Sequence, residues 1–363
     1  MRKQGHRGQV IQKRIPSLDG LRGVSILLVL LSHSTLAVNF PQRLRYLGGL
    51  GRLGVIIFFV ISGFLITTLL MREKAKTGQI SLRDFYIRRV LRIFPVAYFY
   101  IAVVALLSFL GLVRLHRHDL FFALTYLMGY RTDCAWIFLH FWSLTAEEQF
   151  YFVWPALVVF LGFRKSFTAA MTYIVIVLSC RVVLSWLSPE WPSAFRFPRD
   201  SEAIVVGCMC AIKWEWLRDR KGLFASGSFS FLLLLAVGLQ VYLWSIHSRF
   251  HVPMIVIVGL VGLWVFRSVE VPNDLIGRIL NSRALSSIGV LSYSLYIWQE
   301  MFLVYSPTTR TVIPWNLAAT LGAALLSYYL IERPFVRLKD RFTRSSRETR
   351  GISVTNAISQ TTA

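Results

Sequence analysis

Ten runs of apolar residues, most of them close to the length a bilayer demands, constrain this chain more than any other feature. A hydrocarbon core about 30 Å thick takes roughly 20 residues of α-helix, and the backbone inside it must satisfy its own hydrogen bonds. The runs fall at about 20–38, 54–71, 94–113, 141–162, 168–187, 203–216, 229–246, 253–266, 286–305 and 314–332, the sixth and eighth being short. Another apolar stretch, from Phe121 to Tyr130, is only about ten residues long and reads as re-entrant or interfacial. Charge is scarce, 16% of residues against 55% hydrophobic, where a soluble domain carries about 25% charged residues. The fold class is therefore all-α: a polytopic membrane protein of about ten transmembrane helices.

The charge that remains is lopsided, 40 Lys and Arg against 18 Asp and Glu. In a soluble chain such an excess would suggest nucleic acid. Here it follows the rule that basic residues collect in cytoplasmic loops beside anionic lipid. With the N-terminus in the cytoplasm, 28 of the 40 basic residues fall on the cytoplasmic side and 10 on the other, with Arg22 and Arg181 inside spans. That split implies an even number of spans and two cytoplasmic termini, with membrane lipids rather than nucleic acid as partners. The first run has the basic flank of a signal peptide, but Arg22 and His33 interrupt it, so it reads as an uncleaved helix. Residues 1–14 form a basic tail and 339–363 a polar one, both expected to be disordered, which leaves 15–338 as the membrane domain. Cys134, Cys180, Cys208 and Cys210 lack the spacing of a metal site, and no metal is expected.

Ionisable groups inside a bilayer are costly, which makes them functional candidates. Arg22 and His33 are eleven residues apart in the first run, about three helical turns, so they share one face roughly 16 Å apart. The expected stripe runs from the cytoplasmic end to mid-membrane, with Ser17 or Asp19 capping the helix. Gly51, Gly54, Ser62 and Gly63 in the second run read as helix-packing positions. Arg88, Arg89 and Arg92 precede the third run; they serve either as positive-inside anchors or as a phosphate grip, since guanidinium binds phosphate bidentately. Glu147 and Glu148 open the fourth run, with Ser143, Glu147 and Tyr151 on one face. Asp200 and Glu202 precede the sixth run, Ser292 to Glu300 lie in the ninth, and Glu332-Arg333-Pro334 closes the tenth.

Taken in order, these segments resemble the acyltransferase 3 family of integral membrane O-acyltransferases. The likeness runs from about residue 15 to 338. It rests on Leu18-Asp19-Gly20-Leu21-Arg22-Gly23 with His33 eleven positions after Arg22, Phe58-Phe59 followed by Ser62-Gly63-Phe64-Leu65, Arg88-Arg89-x-x-Arg92-Ile93-x-Pro95, Trp142-Ser143-Leu144-x-x-Glu147-x-Gln149-Phe150-Tyr151, Ser292-Tyr293-Ser294-Leu295-Tyr296-x-Trp298, and Glu332-Arg333-Pro334. The resemblance implies transfer of an acyl group, usually acetyl, from coenzyme A to a hydroxyl of an extracytoplasmic glycan or lipid-linked saccharide at the inner membrane, with lipopolysaccharide and exopolysaccharide among the possible acceptors. It implies that His33 is the essential base and Arg22 essential beside it. Two positions depart from the pattern: Gln299 stands where the family often has His, and Asp200-x-Glu202 stands where it often has a basic residue before x-Asp.

A thioester is already activated, so a catalyst has only to deprotonate a hydroxyl and stabilise the tetrahedral oxyanion. Imidazole suits the first task. The expected mechanism is direct attack, with His33 as base, Glu147 orienting it or compensating its charge, and Arg22 holding the donor or stabilising the oxyanion. Arg88, Arg89 and Arg92 would hold the phosphates of acyl-CoA, a donor substrate rather than a tightly bound cofactor. The rival readings are a polytopic transporter or flippase using the same charges as a proton relay, and a non-catalytic scaffold.

Overall fold

The computed structural model describes residues 15–131, 133–187, 197–245, 254–304 and 312–339. The expected tail at 1–14, and that at 339–363 apart from Lys339, lie outside the described residues. Every element among the described residues is helical. The longer ones are α1 (Pro16–Ser34), α2 (Leu50–Thr77), α3 (Leu82–Phe109), α5 (Phe141–Leu187), α6 (Phe197–Ile212), α9 (Gly227–Ser245), α10 (Met254–Glu270), α12 (Arg283–Leu303) and α13 (Trp315–Ser327), the last running on into a π-turn, Tyr328–Glu332. Between them lie the short α4 (Asp119–Leu124), α7 (Trp214–Asp219), α8 (Lys221–Ala225) and α11 (Leu275–Leu280). Three helical stretches are long and apolar enough to cross a membrane: Gln42–Thr77, Leu82–Phe109 and Trp136–Cys180. Helix also covers part of each of the ten apolar runs. The short stretch from Phe121 to Tyr130 is one turn of α4 and a 3₁₀ turn, too short to span.

α5 is two helices in one. Gly162, at φ 76° and ψ 164°, breaks it in a region of backbone space that only glycine enters freely. Ser166 Oγ then reaches the Leu157 carbonyl at 3.4 Å, although nine residues of straight helix would hold them about 13 Å apart. The chain folds back at Gly162, and 163–167, expected as a loop, is already helical.

Side-chain contacts fix the direction of each neighbour. On α1 and α12, Asp19 meets Gly289 and His33 meets Gln299, so the two run parallel. α3 follows them, with Tyr293 bonded to the Ile93 carbonyl and Trp298 against Phe99 and Tyr100. α2 runs antiparallel to α1, since Gly54 lies against Ser25 and Gly51 against Ser32. Parallel to α2 are the first half of α5, through Ser62 with Tyr151 and Thr67 with Trp154, and α6, through Arg52 with Asp200 and Gly63 with Ile204 and Cys208. α13 opposes α12, with Asn316 bonded to Phe302 and Glu332 to Ser294. The first, third and ninth apolar runs thus point one way, and the second, fourth, sixth and tenth the other.

Glycine makes the closest crossings. A Cβ on Gly289 would sit 1.8 Å from the Asp19 carbonyl oxygen, and one on Gly63 would sit 1.9 Å from that of Ile204. Small residues of this kind let backbones touch where lipid offers no hydrophobic drive to association. The packing reading of Gly63 holds. The capping reading of Ser17 does not: α1 begins at Pro16 without a side-chain cap, and Ser17 Oγ instead donates to Asn281 Oδ1 at 3.0 Å. Pro needs no N–H partner at a helix start, which removes much of the need for a cap.

Candidate active site

Two polar clusters lie along α1. The first surrounds His33, which sits in the last turn of the helix. A helix of 19 residues is about 28 Å long, and His33 is the last residue but one of it rather than a mid-helix residue. Run 20–38 overshoots because Thr35 to Phe40 is a turn outside the helix. The ring Nδ1 is bonded to Gln299 Oε1 and lies 4.0 Å from Glu300 Oε2. Gln299 Nε2 donates to that same carboxylate oxygen at 3.0 Å. His140 Nδ1 approaches it from the other side, at 3.8 Å. Gln299, Glu300 and His140 are buried, whereas the His33 side chain keeps 28% of its surface. The His140 carbonyl accepts from Ser143 Oγ at 3.0 Å and from the Tyr296 hydroxyl at 3.3 Å, and its ring stands edge-on to Tyr100 and Tyr296.

The second cluster gathers around Arg22, eleven residues earlier on the same helix. Arg92, Asp19, Tyr151 and Glu147 lie within electrostatic reach of its guanidinium. Glu147 Oε1 accepts from the Tyr151 hydroxyl at 3.2 Å, and that hydroxyl is also bonded to Ser62 Oγ. The Arg89 guanidinium lies over the Tyr151 ring at 4.9 Å and within reach of Glu147 and Glu148. Glu332, accepting from Ser294 Oγ at 2.6 Å, neighbours Arg92 and Arg22. Three guanidiniums, Arg22, Arg89 and Arg92, therefore meet four carboxylates, Asp19, Glu147, Glu148 and Glu332, which is how charge survives in a low-dielectric interior.

This arrangement revises several expectations. Glu147 does not stand beside His33; its partners are Tyr151, Ser62, Arg22 and Arg89. The acid beside His33 is Glu300, and Gln299 is in direct contact with the ring. Arg22, about 16 Å of helix rise from His33, does not reach an oxyanion formed there. The basic trio divides: Arg88 Nη2 is bound to Glu73 Oε2 at 2.9 Å, while Arg89 and Arg92 face the inner carboxylates. Asp200 pairs with Arg52 at 2.6 Å. Among the described residues there is no cluster of three His, Cys, Asp or Glu that could hold a metal, and the four cysteines are free. Sequence reasoning gave no role to His140, although it opens the polar segment that leads into Trp142-Ser143-Leu144 and Glu147.

With both clusters described, the comparison with known sequences is decisive: residues 15–332 match the sequence model of the family described as "Acyltransferase domain". The chain belongs to this acyltransferase family. Among its relatives are "Putative peptidoglycan O-acetyltransferase YrhL" of Bacillus subtilis, 28% identical across 88% of this chain and 54% of that protein, and "Peptidoglycan O-acetyltransferase OatA" of Listeria monocytogenes, 26% identical across 89% of this chain and 56% of that protein. "Putative O-acetyltransferase SACOL0978" of Staphylococcus aureus is 28% identical across 88% of this chain and 57% of its own length. The chain spans about half the length of the curated relatives it matches. No solved structure matches it. In this acyltransferase-family chain the residues that resemble the family pattern supply His33 and the Arg22 cluster, whereas Gln299, Glu300 and His140 lie outside the quoted motifs.

Proposed function

We propose that this chain is a membrane O-acyltransferase that moves an acetyl group from acetyl-CoA to a hydroxyl of a cell-wall glycan. In this reading ten helices cross the cytoplasmic membrane and both termini are cytoplasmic. The alternating helix directions and the 28-to-10 division of basic residues support that topology. The relatives named for peptidoglycan favour a cell-wall glycan over lipopolysaccharide.

One observation carries the proposal: a single helix bears a part-exposed imidazole at one end and a guanidinium cluster at the other. The glycan hydroxyl approaches His33 from the extracytoplasmic side. His33 takes its proton as the oxygen attacks the thioester carbonyl, forming the C–O bond. The tetrahedral intermediate collapses, the C–S bond breaks, and the departing thiolate takes the proton back from the imidazolium. Arg22 and Arg92 hold donor phosphates at the cytoplasmic end, so the extended arm of the donor bridges about 16 Å to reach the imidazole. Glu147 keeps Arg22 in place and balances its charge.

The test is transfer of labelled acetyl from acetyl-CoA to a glycan acceptor in isolated membranes. His33→Ala should abolish transfer, and wild-type transfer by that variant would overturn the proposal. Transport without donor turnover by the purified protein would favour a transporter instead.

A further inference from the structure

Resting on the reading of His33 as general base, we propose that Gln299 and Glu300 are positioning residues that set its tautomer. Glu300 orients the Gln299 amide, and the amide oxygen holds the proton on Nδ1 so that Nε2 carries the reactive lone pair.

Donor and acceptor chemistry lead there directly. A carboxamide oxygen only accepts, so its bond to His33 requires a proton on Nδ1. A neutral imidazole with that proton has its lone pair on Nε2. The amide does not simply turn over, because Gln299 Nε2 already donates to Glu300 Oε2 at 3.0 Å. Turning it would set two acceptor oxygens face to face, the amide against the carboxylate. Consecutive residues on a helix point about 100° apart, so Gln299 faces α1 while Glu300 turns toward His140, and both are buried. When Nε2 takes a proton, Glu300 Oε2 at 4.0 Å faces the new imidazolium. The titratable groups around Glu300 are His33 on α1, His140 ahead of α5, Tyr100 on α3 and Tyr296 on its own helix. Among the described residues no second carboxylate stands there, so Glu300 is the group that answers the charge. The imidazole, amide and carboxylate thus do together what His and Asp do in a hydrolytic triad, with the amide interposed. Gln299, which the sequence pattern marked only as a departure from the family, acts through His33.

The experiment uses the full chain in lipid nanodiscs, with donor binding to each variant as the check on folding. Gln299→Leu should lower kcat by about 10²-fold or more, the contribution of a general base, with donor KM unchanged. Glu300→Gln should lower kcat and, in ¹⁵N-histidine spectra, move part of the His33 proton from Nδ1 to Nε2; a merely structural side chain would not change that signature. In ¹⁵N-histidine spectra of the wild type, His33 should carry its proton on Nδ1. Wild-type kcat in Gln299→Leu, an unchanged tautomer in Glu300→Gln, or a wild-type proton on Nε2 overturns the proposal. If Gln299→Leu fails to bind donor, the near-isosteric Glu300→Gln decides the matter. An active His33→Ala would remove the base reading itself, whereas an inactive His33→Ala beside an unaffected Gln299→Leu removes only the tautomer assignment.

Discussion

Replacing Gly289 by Ala should disable transfer although the residue touches no reacting group. The added Cβ would lie 1.8 Å from the Asp19 carbonyl oxygen, where ordinary contact begins at 3.4 Å. To relieve that, α1 and α12 must separate by about 1.6 Å, since the obstacle is backbone and not a movable side chain. Forced overpacking of this kind typically costs about 1–3 kcal/mol. The same shift parts His33 from Gln299, because the two sit on the helices being pushed apart. A misplacement of about 1 Å costs on the order of 10²-fold in rate. Acetyl transfer and thermal unfolding in detergent should therefore both fall in Gly289→Ala. Gly277→Ala supplies the comparison: its Cβ would meet the Pro272 carbonyl oxygen at 2.4 Å, in the turn after α10, with no member of either cluster among its nearest atoms. That variant should lose stability while the folded fraction transfers at the normal rate. A fully active Gly289→Ala would refute the argument that this crossing sets the site, and equal rate losses in both variants would show the effect to be unfolding.

Other outcomes follow from single contacts. Trp154→Phe removes the buried bond from Nε1 to Thr67 Oγ1 at 2.9 Å and should cost about 1–3 kcal/mol, the penalty for an orphaned buried hydroxyl; chemical unfolding of the purified protein reads it. Arg88→Gln should leave donor KM unchanged, because Glu73 already engages that guanidinium, and should lower stability by less than about 1 kcal/mol, as part-exposed pairs do. Arg92→Gln should raise donor KM, and steady-state kinetics separate the two. Asp274 gives a pH signature: partial burial pushes its carboxyl upward, but the Gly277 N–H and the Arg267 guanidinium outweigh this and hold it below the ordinary carboxylate range. Its contribution is therefore present above the ordinary carboxyl pKa and is lost as pH falls through the lower folded value. Thermal stability should drop across that acidic window in the wild type and stay flatter in Asp274→Asn.

The membrane architecture was legible in the residues because it is written locally. Apolar runs of bilayer length, basic loops between them, and the eleven-residue spacing of Arg22 and His33 each depend on near neighbours in the chain. Helix periodicity put Ser143, Glu147 and Tyr151 on one face, and Tyr151 does bond Glu147. Residues in four motifs, Arg22, Arg89 and Arg92, Glu147 and Tyr151, and Glu332, converge on a single inner cluster. Where an apolar run outlasts its helix, the run misplaces a residue along that helix, and His33 lies in the last turn of α1 for that reason.

Which helix faces which was decided only by tertiary packing. His33 takes its partner from 266 residues away, across a crossing made close by Gly289 and the Asp19 backbone. No local pattern reports such a pairing, because contact in lipid is chosen by backbone approach and side-chain fit rather than by apolar character that every span shares. The sequence therefore set the class of protein, the number of runs and the residues able to do chemistry. The packing of helix faces decided that Gln299 and Glu300 lie beside His33, that Glu147 lies beside Arg22, and that Arg88 pairs with Glu73.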